Sequence, residues 1–106
     1  GSGRHNTGLA ADIKLYKNNK ALSSFKHADR LIMTDFIIAA IDNGILAGGH
    51  GPEQNPKYMD DEGMHLDMLG AFTGNDRIIG SGYDKKTKVV WRSDSWFRSA
   101  FGFVDA

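Results

Sequence analysis

Between residues 25 and 43 the chain gathers Leu31, Ile32, Met33, Phe36, Ile37, Ile38, Ala39, Ala40 and Ile41, interrupted only by Thr34 and Asp35. The apolar run falls short of the roughly 20 residues a membrane helix needs. It predicts a helix over 25–43 set into a protein core, with Ser24 placed to cap it and Gly44 placed to end it. Leu31, Ile32, Phe36, Ala39 and Ala40 make its core stripe. Met33, Ile37, Ile38 and Ile41 widen that stripe until burial is expected on most sides. A chain of 106 residues has room for one modest core, so residues 1–106 are expected to form a single domain.

The layer that covers this helix is expected to be a sheet. Over residues 9–16, Leu9, Ala11, Ile13 and Leu15 alternate with Ala10, Asp12, Lys14 and Tyr16, the period of a strand with one apolar face. Residues 17–20 follow as a turn, since asparagine tolerates the left-handed backbone that Asn18 and Asn19 would need. Residues 45–47 begin a short strand, and residues 48–63, with four glycines and two prolines, read as a long loop. Over residues 64–69, Met64, Leu66 and Met68 alternate with His65 and Asp67, a second half-buried strand. A hairpin is expected around Asp84–Lys86, and a short helix over 93–101 capped by Ser93 or Asp94. The class is α+β, a small antiparallel sheet with a buried helix on one face and a zinc cleft on the other.

The cleft follows from the strand faces. Asp12 lies opposite the apolar side of the first strand, and His65 and Asp67 lie opposite that of the second. A helix covering one face leaves Asp12 and His65 together on the other. His5 precedes Asp12 by seven residues, and Gly8 between them permits a sharp turn back. The chain has no cysteine, so a metal site must use His, Asp or Glu. Two imidazoles and one carboxylate leave a fourth position open, the pattern of a catalytic zinc site. Glu62, three residues before His65, is placed to act as a base without being a ligand.

These residues carry a resemblance. The run from Ser2 to Asp12 resembles the H-x-x-G-x-A-x-D signature of the D-Ala-D-Ala metallopeptidase family, on His5, Gly8, Ala10 and Asp12. The run from Glu62 to Asp67 resembles that family's E-x-x-H and H-x-D element. The family includes vancomycin-resistance dipeptidases, zinc D-Ala-D-Ala carboxypeptidases and phage L-alanoyl-D-glutamate endolysins. The resemblance, over residues 2–69, implies that His5, Asp12 and His65 bind Zn2+ and that Glu62 is the general base. It implies a peptidase acting on peptidoglycan stem peptides at the bacterial cell wall, as a carboxypeptidase or as an endopeptidase of a phage endolysin or virion. Gly3 stands where the family often has serine. Relatives usually carry a segment ahead of the motif that helps bind the substrate carboxylate, so the resemblance implies a piece that is either missing here or supplied by another chain.

Other residues keep two readings. Asp67 is an acceptor that orients a ligand histidine, or a polar residue of the strand. Arg4 steadies a substrate carboxylate or oxyanion, or is solvated. His50, in the Gly-rich loop, reaches the cleft or stays in its loop, and Trp91 and Trp96 wall a groove or fill the core. A formal net charge of zero argues against a nucleic-acid partner, and no run is long enough for membrane insertion. The rival to the enzyme is a non-catalytic, metal-containing binding or structural module of the same fold.

Overall fold

The computed structural model describes residues 8–54, 56, 59–68, 83–84, 89–90 and 93–100. Among them the chain forms β1 (Ala10–Lys14), β2 (Tyr16–Lys17), β3 (Lys20–Ala21), α1 (His27–Asp42), β4 (Ala47–Gly49), β5 (Gly63–Asp67), β6 (Tyr83–Asp84), β7 (Val89–Val90) and α2 (Ser95–Ala100). β1, β5 and β4 make a three-stranded antiparallel sheet with β5 in the middle. β2 and β3 form a hairpin whose two-residue turn, Asn18-Asn19, holds both residues at positive φ (53° and 65°). That geometry matches the right-handed twist of the flanking strands, and asparagine adopts it at little cost. β6 and β7 pair antiparallel about the predicted hairpin.

One buried cluster joins the layers. Met33 and Ile37 of α1 lie in it with Met64 and Leu66 of β5, Leu22, and Phe97 of α2. Ile13 and Leu15 pack against it from the first strand segment. The odd-numbered face of β1 and the even-numbered face of β5 therefore point to the helix. The sheet's other face carries Asp12, His65 and Asp67.

The helix departs from the expected burial. Its wholly buried residues are Met33 and Ile37, with Ala40 and Ile41 packed beside them. Leu31 (56% exposed), Ile38 (46%), Ile32 and Phe36 stay at the surface. Positions 33, 37, 40 and 41 recur at the helical period and form one narrow stripe. The second apolar arc lies outside this stripe. Part of that arc borders an open apolar groove of about 320 Å³ between β1 and α1, lined by Leu9, Ala11, Phe36, Ala40 and Met68 among others.

The two ends of α1 also differ. Gly44 (φ 106°) ends it as expected: Gly44 N–H donates to Ile41 O and Ile45 N–H donates to Ala40 O, both at 3.1 Å. This pair of bonds satisfies carbonyls the helix end leaves open, and glycine accepts the left-handed backbone without a Cβ clash. The start differs. The N-cap is Lys26, which makes no side-chain cap bond, and Ser24 is buried with its hydroxyl engaged elsewhere. Asp29, in the first turn, reaches back instead and accepts the Ser23 N–H at 3.0 Å.

Candidate metal centre

Antiparallel pairing sets Asp12 of β1 directly across from His65 of β5. Directly opposed residues project to the same side of a sheet, so the alternation read from the sequence becomes a contact. His65 Nδ1 lies 3.2 Å from Asp12 Oδ1, and His65 Nε2 lies 2.8 Å from Asp67 Oδ2. The neighbours on this face are small. Gly49 of β4 sits across from His65, and Ala10 and Ala47 flank Asp67.

The three residues differ in burial. The Asp67 carboxylate is wholly buried, the His65 side chain is 12% exposed, and that of Asp12 is 70% exposed. A buried carboxylate is costly unless it is hydrogen-bonded, and the imidazole provides that bond. Asp67 accepts only, so the Nε2 position carries the hydrogen. A neutral ring then turns its Nδ1 lone pair toward Asp12, which also offers only lone pairs. A second ring hydrogen would close that contact, and so would a metal ion held between the two groups. Two ligands of a tetrahedral zinc, each at about 2.0–2.1 Å, stand about 3.3 Å apart. The Nδ1–Oδ1 separation and the donor types, one imidazole and one carboxylate, fit that metal. The Asp67–His65 pair has the arrangement in which a buried carboxylate orients a metal-bound histidine.

The acidic run Asp60-Asp61-Glu62 divides into three tasks. Asp60 Oδ1 accepts the N–H of Glu62 at 2.9 Å and of Gly63 at 2.5 Å. The Gly63 N–H in particular holds the Asp60 carboxyl below its ordinary pKa. The Ser23 hydroxyl donates to Asp61 Oδ2, and the Ser24 N–H donates to Asp61 O at 2.9 Å. Glu62 Oε1 accepts from Lys14 Nζ at 3.2 Å. Glu62 in turn keeps the ammonium above its ordinary pKa. Lys14 is two residues from Asp12 on the same strand, so its side is the Asp12 side. Glu62 is thereby drawn toward the face that bears His65.

His50 is placed elsewhere. It is wholly buried, with Nδ1 2.7 Å from Gly63 O and Nε2 2.7 Å from Ser24 Oγ. Phe97 stacks on the ring at 5.9 Å between centroids and Trp96 meets it edge-on at 5.2 Å. Burial pushes the imidazole below its ordinary pKa. Asp94, read with Ser93 as a candidate cap, stands directly ahead of α2 and its C=O accepts the Arg98 N–H at 3.0 Å, and both residues also serve this loop. Ser93 Oγ accepts the His50 N–H, and Asp94 accepts the N–H groups of Glu53 and Gln54. Burial raises the Asp94 carboxyl pKa.

The structure thus brings Asp12, His65 and Asp67 together and sets Glu62 beside Lys14. His5 and Arg4 lie outside the described residues, as does Trp91. Among the described residues no group of three His, Asp or Glu side chains converges on one point. Gly49 escaped the sequence reading because a glycine in a Gly-rich run signals a loop before it signals a strand beside the site. Against family models, curated proteins and solved structures the chain has no match.

Proposed function

We propose that the chain is a zinc-dependent peptidase of the D-Ala-D-Ala metallopeptidase type, acting at the bacterial cell wall on peptidoglycan stem peptides. The observation that supports it is the imidazole of His65, held by buried Asp67 on one nitrogen and facing Asp12 at 3.2 Å on the other. In this reading Asp12 and His65 are two metal ligands and His5 is the third. Asp67 keeps the hydrogen on Nε2, so that Nδ1 offers its lone pair to the ion. When bound, zinc supplies Lewis-acid polarisation of the scissile carbonyl and lowers the pKa of a water. Glu62 accepts the proton of the attacking water and returns it to the leaving amine. Lys14 holds the Glu62 carboxylate on the Asp12 side until substrate displaces it.

The test is release of new amino groups from purified peptidoglycan, with and without chelator, for the wild type and Glu62→Gln. Cleavage by the wild type is expected to stop with chelator. In Glu62→Gln, kcat is expected to fall by about 10²- to 10⁴-fold with zinc content unchanged. A wild type that holds zinc yet releases nothing from several wall types would replace the peptidase with a binding module.

A further inference from the structure

Gly63 is held at both ends. Its N–H donates to Asp60 Oδ1, and its carbonyl lies 2.7 Å from His50 Nδ1. A carbonyl only accepts, so Nδ1 carries the hydrogen and Nε2 is left to accept from the Ser24 hydroxyl at 2.7 Å. The space around Gly63 is equally set: a Cβ there would stand 3.2 Å from Asp60 Oδ1. Gly63 follows Glu62 and precedes His65 by two residues. Any slip at this point moves the proposed base and the proposed ligand together. The ring itself cannot wander, because Phe97 and Trp96 pack on it.

We propose that His50 is a positioning residue of the peptidase site: through Ser24 on one nitrogen and the Gly63 carbonyl on the other, it fixes the turn that carries Glu62 into β5. This rests on the peptidase reading for its effect on rate, but not for its effect on the turn. His50 touches neither substrate nor metal in this role. Its action passes through one backbone carbonyl.

Two substitutions separate that carbonyl bond from the rest of the ring's contacts. The amide nitrogen of Asn stands where Nδ1 stands and can donate to Gly63 O. The amide of Gln reaches the Nε2 place, toward Ser24. Each variant is assayed for kcat and KM on peptidoglycan, and for amide hydrogen exchange at residues 60–65. His50→Asn is expected to keep at least about fivefold more kcat than His50→Gln, with KM alike, because small misplacements of catalytic groups cost rate first. Exchange at Glu62 and Gly63 is expected to be about tenfold faster in the Gln variant than in the Asn variant. Equal kcat and equal exchange in the two, or an advantage to Gln, overturns the proposal. If neither variant folds, Ser24→Ala decides. It slackens the ring without removing it, and should lower kcat and speed exchange at Gly63, while Ser24→Thr restores both; no change in Ser24→Ala overturns the proposal. If the wild type cleaves nothing, the peptidase reading falls alone, and the exchange comparison still judges His50.

Discussion

His50 and His65 stand on either side of one short piece of chain, and their partners could hardly differ more. His65 lies between two carboxylates, one buried and one largely exposed. His50 lies between a carbonyl and a hydroxyl, under two aromatic rings. A carbonyl paired with a hydroxyl is fully satisfied by a neutral imidazole with a single hydrogen. Of two carboxylates, a single ring hydrogen serves only one. The same side chain is thus a strut in one place and a candidate ligand in the other, decided by what its neighbours can accept.

The comparison breaks most severely if the cover over His50 is removed. Among the described residues Phe97 is the largest wholly buried side chain, and its ring packs against those of His50 and Trp96. Phe97→Ala is expected to cost about 3–5 kcal/mol of stability, read by urea unfolding. It would let water reach the His50 ring, whereas the Asp12–His65–Asp67 row lies on the opposite face of the sheet. A loss below about 1 kcal/mol would mean that the α2 cover is not part of the core.

A smaller effect sharpens the His65 side. Asp67→Asn keeps the shape of the buried side chain but removes the charge that faces Nε2, and its amide can present N–H to the ring. The ring orientation that leaves Nδ1 free for metal is then no longer favoured. Zinc affinity, measured by competition with a chromophoric chelator, is expected to weaken about 10- to 100-fold. An unchanged affinity would reduce Asp67 to a strand residue with a convenient neighbour.

Period two was enough to read the shared face of Asp12 and His65 from the chain, because a sheet's alternation is a local property. Register is not local. That Asp12 meets His65 and not Asp67 depends on the pairing of segments separated by more than 50 residues. The helix ends show the same division. Gly44 was legible because positive φ is a property of one residue. Ser24 was not, because its hydroxyl is taken by His50, which comes from the far side of α1. Apolar positions around a helix look alike in sequence, and Met33 and Ile37 are the buried ones because β5, Leu22 and α2 pack on that side. His50 stayed ambiguous for a related reason: a histidine in a Gly-rich loop gives no hint of Phe97 and Trp96, which arrive from the other end of the chain.

The smallest effect separates the two histidines by pH. Burial depresses the His50 pKa in the folded chain below the 6.5 it has when unfolded. As pH falls below about 6.5, the unfolded chain takes up a proton that folded His50 refuses. Stability is therefore fully present above that value and declines as pH drops toward the folded pKa, by at most about 1.4 kcal/mol per pH unit for one group. Asp94, whose folded pKa is raised, works in the opposite direction: the folded chain holds its proton at pH values where the unfolded chain has lost it. His50→Gln keeps Asp94 and removes the imidazole, so the difference between the two proteins reports on His50. Urea unfolding of the metal-free chain from pH 7.5 down to 5 is expected to show a decline in the wild type that His50→Gln lacks. Parallel pH dependences would mean that the ring is hydrated and charges freely, and that the pairing of His50 with Gly63 and Ser24 does not hold it neutral.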